Sequence, residues 1–206
     1  MKQVTWKKRL EYFWMYYKIP FLAAVMISAA VIYFVHAKIT EKDPAFNAIL
    51  FDVHTNERQE DVESDFADYA GIDTEKYEVL ISMDLLFSDS SSGAYTMASL
   101  SHFYTQTGTQ ELDVCMMLEE DFKVYAEADC FLDLREVFTE QELKQFPDLY
   151  RDSEGRVLGA YGDDLKKIRS MDGYSDPKTR SAAGIMYNTK HKEAAKQFLE
   201  YLLEEE

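Results

Sequence analysis

Residues 112–126 read LDVCMMLEEDFKVYA, and the two halves of this stretch obey different periodicities. The first seven residues form a nearly continuous apolar run, short enough for a strand and of the kind found where both faces of a sheet are covered. Glu119, Glu120 and Asp121 then break the run with three carboxylates, which suit the positive end of a helix dipole. Behind them Phe122, Tyr125 and Ala126 recur at i, i+3 and i+4, the buried stripe of an amphipathic helix. A covered strand that runs straight into a helix is the repeating half of a strand-helix-strand unit.

The same pattern occurs twice upstream. Residues 48–53, AILFDV, read as a strand, and Val62, Phe66 and Tyr69 follow at i, i+4 and i+7 in an acidic helix that Gly71 stops. Residues 76–87, KYEVLISMDLLF, read as the next strand. The cap-rich residues 88–93, SDSSSG, then lead into a helix with Met97, Leu100 and Tyr104 on one face, ended at Thr107-Gly108-Thr109. Three such units in succession predict a three-layer α/β domain with a mostly parallel sheet and right-handed crossovers. Its strands are expected near 47–53, 77–85, 112–118 and 183–187. Between the last two the pattern gives a short helix over 139–146, a hairpin over 150–161 turning at Ser153-Glu154-Gly155, and a polar loop over 162–180. A closing helix over 191–205 carries Ala195, Phe198, Leu199 and Leu202 along one side.

Residues 19–37, IPFLAAVMISAAVIYFVHA, hold no Asp, Glu, Lys or Arg. At 1.5 Å per residue they nearly span a hydrocarbon core of about 30 Å. Lys2, Lys7, Lys8, Arg9 and Lys18 precede the run against a single Glu11, with Trp6, Tyr12, Phe13, Trp14, Tyr16 and Tyr17 among them. An aromatic belt and an excess of cations place residues 1–18 in the cytoplasm, residues 19–37 across the bilayer and residues 38–206 outside as one domain. The alternative is a signal peptide cleaved after Val35-His36-Ala37. The length of the run and its long aromatic lead favour an uncleaved anchor. No Cys follows the run to carry a lipid.

The chain has 206 residues, 47% hydrophobic, and a formal charge of −16. Setting aside the five cations and one carboxylate of residues 1–37 leaves 17 basic and 37 acidic residues, a net −20 on the outer domain. Such a domain repels phosphate backbones, so nucleic acid is excluded as a partner. Cys115 and Cys130 are too few and too far apart for a metal site, and no metal or cofactor is expected. Their location leaves two readings open, a disulfide outside the cytoplasm or two buried thiols.

Catalytic motifs are weak. Asp163-Asp164 reads as a solvated turn, and carboxylates are too frequent for a glycosidase pair to be singled out. Ser175-Asp176-Pro177-Lys178 matches S-x-x-K, but Pro177 opposes the helix that motif requires. His54, His102 and His191 lack metal-ligand spacing, and no phosphate-binding glycine motif is present.

Two phrases carry a family resemblance. One is Gly108-Thr109-Gln110-Glu111-Leu112-Asp113-Val114, with Phe122-Lys123-Val124-Tyr125 and Phe131-Leu132-Asp133-Leu134 after it. The other runs from Gly184 through Tyr187-Asn188-Thr189-Lys190-His191-Lys192-Glu193-Ala194-Ala195 to Phe198-Leu199. Together they are similar to type II periplasmic solute-binding proteins, the sugar-type binding components of bacterial ABC importers, over residues 45–135 and 181–206. The stretch between is too short for the second lobe of that family. The resemblance therefore implies one lobe of a two-lobed, non-catalytic binder, whose partners would be a membrane permease or a second copy. The competing expectation is an interaction protein with no small ligand.

Open α/β sheets hold ligands at the carboxyl ends of their strands. By chain order that edge carries His54, Thr55 and Asn56, then Ser88, Ser90 and Ser91, then Glu119 and Asp121. Each also has a plain structural role available: Ser90 or Ser91 as a helix cap, Glu119 and Asp121 at a helix dipole, and His54 in solvent.

Overall fold

The computed structural model describes residues 6–40, 42–53, 57–87, 93–162, 165–167 and 180–204. The chain divides into two compact units at Lys42. The first is a single helix, α1, Trp6–Thr40. Its segment Tyr17–Val35 is long and apolar enough to cross a membrane. Phe21, Leu22, Val25, Met26, Ile27, Val31, Ile32 and Phe34 are all exposed, so the apolar surface runs around the helix and not along one stripe. Ser28 donates its hydroxyl to the carbonyl of Ala24 at 2.9 Å, which leaves that polar group satisfied without water.

The second unit is the α/β domain. Its elements in order are β1 Asp43–Leu50, α2 Gln59–Ala70, β2 Tyr77–Ser82, α3 Gly93–Thr109, β3 Val114–Leu118, α4 Glu119–Glu127, a 3-10 turn Leu134–Glu136, α5 Glu140–Leu143, β4 Leu149–Arg151, β5 Val157–Tyr161, β6 Ser181–Ile185 and α6 Lys192–Tyr201. One six-stranded sheet has the order β2-β1-β3-β6-β5-β4.

The expected strand-helix units form, with β1 parallel to both β2 and β3. The sheet as a whole is mixed, which corrects the expectation of a mostly parallel one. β6 runs antiparallel to β3, β5 antiparallel to β6, and β4 antiparallel to β5. The β4–β5 hairpin reverses direction at its turn, and β6 runs opposite to both of its neighbours, β3 and β5. The hairpin thus extends the sheet beyond the return strand.

Local sequence explains the boundaries. Gly71 adopts φ 66°, and the amides of Gly71 and Ile72 close on the carbonyls of Asp68 and Ala67, so α2 stops at the residue able to take that conformation. The hairpin turns through Gly155 at φ 79°, and Asp152 accepts from the amides of Glu154 and Arg156 at 3.0 and 2.8 Å. α5 begins at a capping box between Thr139 and Glu142.

Helices cover both faces. On one, Phe46, Leu50, Ile81 and Met116 meet Val62 and Phe66 of α2 and Ala195, Phe198, Leu199 and Leu202 of the closing helix and its end. On the other, Ile49, Phe51, Cys115 and Met117 meet Phe103 of α3 and Phe122 and Ala126 of α4. Phe122 and Phe131 stack there with ring centroids 4.1 Å apart. Their seat is a pair of glycines: a Cβ at Gly159 would lie 2.7 Å from the Phe122 ring, and one at Gly184 2.7 Å from the Phe131 ring.

Two faces read from the sequence are corrected. Met97 and Tyr104 are exposed, and α3 buries Ser99 and Phe103 instead, Phe103 edging onto Phe51 and Tyr125 at 5.7 and 5.3 Å. Tyr69 is likewise exposed, its ring 5.4 Å from that of Tyr201. The pairing of Cys115 with Cys130 is not made, and both are free thiols. Burial pushes both thiols above their usual range, so they persist as poorly nucleophilic SH groups.

Candidate functional site: a groove between a helix and the hairpin

Of the three segments expected to form a site, one is described. His54, Thr55 and Asn56 after β1, and Ser88, Ser90 and Ser91 after β2, lie outside the described residues, as do Asp163-Asp164 and Ser175-Asp176-Pro177-Lys178. Glu119 and Asp121 are described, and both stand in the first turn of α4, at the carboxyl end of β3. They do not act together. Residues two apart on a helix point to different sides, and Glu119 faces the hairpin while Asp121 feels the carboxylate of Asp52 at the end of β1. Burial, then Asp52 and Glu120, raise the Asp121 carboxyl above its ordinary range.

On the hairpin side a groove of about 690 Å³ opens between α4 and the β4–β5 hairpin. Glu119, Lys123, Ala126 and Glu127 form its helical wall, at the spacing of one helix face. Tyr150, Asp152, Arg156 and Tyr161 form the wall opposite. At its mouth the Tyr161 hydroxyl donates to Glu119 Oε1 at 2.8 Å. Register explains the meeting: Tyr161 pairs with Ala182, and Ala182 with Met117, so the ends of β5 and β3 lie level across β6. Arg180 lies flat over the Tyr161 ring at 3.5 Å and pairs with Asp148 at 2.8 Å. Burial, then the bond to Glu119, drive the Tyr161 hydroxyl well above the usual phenol range, so it acts as a donor at every physiological pH.

At the other end of the groove Arg156 reaches Asp129 at 2.8 Å, Asp152 at 2.6 Å and Glu154 at 3.8 Å. It ties the hairpin turn to the turn after α4. The lining is thus polar, rich in both donors and acceptors, with Lys123 and Arg151 exposed beside the carboxylates. An open polar groove of this kind suits hydroxyl- or amine-bearing solutes more than apolar ones. Among the described residues no three His, Cys, Asp or Glu side chains lie close enough to hold a metal ion.

Tyr150, Tyr161 and Arg156 are not among the residues that the sequence singles out. The hairpin itself is legible, but nothing local says that it lines up beside the return strand, and only that placement puts Tyr161 opposite Glu119.

A second polar cluster lies at the opposite edge of the sheet. Asp113, fully buried just before β3, accepts from the Asn47 amide at 2.9 Å, from the Thr189 hydroxyl, and faces His191 Nδ1 at 3.1 Å. Thr189 also accepts from the His191 amide at 3.0 Å. Every atom of this knot that could meet a solute is turned inward except on His191, so it is a clip and not a receptor.

No family model, curated protein or solved structure matches the chain.

Proposed function

We propose that this chain is a membrane-anchored, non-catalytic binding module whose outer domain is built like one lobe of an ABC-type solute-binding protein. It takes small polar solutes in the groove between α4 and the hairpin. Residues 1–18 face the cytoplasm and the domain faces outward, on the strength of the cations that precede the span. The observation that carries the binding reading is the Glu119–Tyr161 hydrogen bond at the mouth of the groove. It places an acceptor and a donor at the carboxyl edge of the sheet, where open α/β domains hold ligands. The family likeness is supported by the meeting of its two phrases, since Asp113 from the first is bonded to Thr189 and His191 from the second.

With one wall missing, the groove buries only part of a ligand, so affinity for simple sugars is weak. Calorimetry of the full chain in detergent, against neutral sugars, amino acids and polyamines, is expected to give saturable heat with at least one class. That heat is lost in Glu119→Ala and reduced in Tyr161→Phe. Absence of saturable heat throughout, or heat indifferent to Glu119→Ala, rejects the groove. Protease added to intact cells stripped of their wall is expected to remove the domain and spare a tag before Lys2, and a protected domain reverses the orientation.

A second reading, an interaction protein with no small ligand, is favoured by one feature: α3 exposes Met97 and Tyr104 on one side.

A further inference from the structure

α3 is unlike the rest of the outer domain. Residues 38–206 hold 17 basic and 37 acidic side chains, about one charge in every three residues. A 17-residue helix drawn from that composition would carry about five charges. α3, GAYTMASLSHFYTQTGT, has no Asp, Glu, Lys or Arg. Its outward side is not shielded by the domain: Met97 is 68% and Tyr104 56% exposed, Ser101 and Gly108 are exposed, and Val124 of the neighbouring α4 is 61% exposed.

From these observations we infer that α3 is where two copies of this chain pair, helix against antiparallel helix. Met97, Ser101, Tyr104 and Gly108 follow one another at spacings of four, three and four, which is the seam by which two helices pack side by side. Their sizes alternate in a particular way. About a two-fold axis between positions 102 and 103, Met97 of one copy lies over Gly108 of the other, and Tyr104 over Ser101. Each large residue meets a small one, and the same contact repeats on the other side of the axis, as an isologous interface requires. A Cβ at Gly108 would meet nothing within 4 Å in its own chain, so the space over it is open to a partner. Tyr104 is held ready, its hydroxyl 2.8 Å from that of Tyr125.

Charge selects the second copy as occupant. Two domains of net −20 repel through most of their surfaces, and contact there sets carboxylate against carboxylate. An uncharged seam removes that cost at α3. A basic partner, by contrast, gains nothing from a face without carboxylates.

The pair is small. A helix of 17 residues is about 25 Å long, and one such face covers on the order of 400 Å² per copy, about half of a standard interface. Pairing in free solution is therefore weak, and confinement of both copies to one bilayer supplies the effective concentration. In this respect the inference rests on the anchored reading of α1.

The test uses the full chain reconstituted in phosphatidylcholine vesicles, as Met97→Cys and Gly108→Cys variants, each alone and mixed, under a short thiol cross-linker. The expected result is a cross-linked dimer in the mixture, little with Met97→Cys alone, and none above the wild-type background of Cys115 and Cys130. Adding Ser101→Glu, at an exposed side chain, or Tyr104→Glu to both variants should lower the dimer at least tenfold, the first with melting unchanged. Failure of the mixture to cross-link, or a dimer insensitive to either substitution, overturns the inference, and cross-linking of Met97→Cys with itself shows a parallel pair and overturns it too. Flotation of the vesicles reads the anchor separately. If the chain does not float, the anchored reading falls, and the same mixture at millimolar protein in solution decides the pairing.

Discussion

His191 Nδ1 lies 3.1 Å from Oδ2 of Asp113, although 78 residues separate them, and that carboxylate has no exposure to solvent. The contact joins the start of β3 to the start of α6, the two places where the chain enters and leaves the centre of the sheet. Its strength comes from burial. The Asn47 amide and Thr189 hydroxyl both spend their hydrogen bonds on Asp113, and neither has water as an alternative.

Asp113→Ala should accordingly cost about 2–6 kcal/mol, because it strands two buried donors at about 1–3 kcal/mol each. That is a large share of the roughly 5–15 kcal/mol typical of a domain. His191→Gln should cost less, since the His191 side chain is 31% exposed and water can serve that side of the carboxylate. Urea unfolding of the two variants checks the order, and equal small losses would contradict the buried clip.

The glycine seat under the aromatic stack gives a second expectation. Gly184→Ala places a methyl 2.7 Å from the Phe131 ring and 2.9 Å from the Leu158 carbonyl, and Gly159→Ala places one 2.7 Å from Phe122 and 2.8 Å from the Ala183 carbonyl. Backbone cannot yield as a side-chain tip can, so each should destabilise by about 1–3 kcal/mol. Phe131→Leu combined with Gly184→Ala should recover only part of this, because the carbonyl clash remains. Full recovery, read by thermal melting, would place the strain wholly in the ring.

What the sequence declares here is what local periodicity can carry. β1, β2 and β3 with the helices behind them are visible because apolar runs and 3.6-residue stripes need no knowledge of neighbours. The faces of α6 are visible for the same reason, and Ala195, Phe198, Leu199 and Leu202 are all buried. α3 misleads: Met97, Leu100 and Tyr104 form an apolar stripe, yet the domain buries Phe103, leaving Met97 and Tyr104 exposed and Leu100 half-buried. A helix with two apolar stripes does not say which one its own core will use. The groove is less legible still, since Glu119 meets Tyr161 through strand order, and order across a sheet is set by packing and not by any local signal.

Glu142 offers a test by acid. The Lys196 ammonium, and then the Thr139 amide, lower its carboxyl from near 4.5 to about 2. A depressed folded value means that the ion pair stabilises above about pH 4.5 and that this support fades as pH falls toward 2. Glu142→Gln keeps an acceptor for the Thr139 amide and removes only the charge. Its melting temperature should lie below that of the wild type by a constant gap above pH 5, closing toward pH 2. A gap that persists at pH 2 would assign the loss to the cap and not to the ion pair.

Asp121 should show the opposite sign. Burial, followed by the like charges of Asp52 and Glu120, raises its folded pKa above the ordinary 3.8. The folded domain then takes up the proton more readily than the unfolded chain does. The ionised carboxylate is a cost to stability at every pH above the folded value, and the cost disappears as pH falls from that value to 3.8. The helix dipole at the start of α4 works against this cost without cancelling it, since the net direction is upward. Asp121→Asn should therefore raise the melting temperature at pH 7. The gain should shrink as pH falls through the raised folded value and vanish under pH 3.8, while Asp52→Asn should reproduce part of it by removing a like charge. Glu142→Gln and Asp121→Asn thus diverge at neutral pH and converge on the wild type in acid. A loss of stability in Asp121→Asn at pH 7 would mean that the dipole outweighs burial, and that the carboxyl edge between β1 and β3 is wetter than its packing implies.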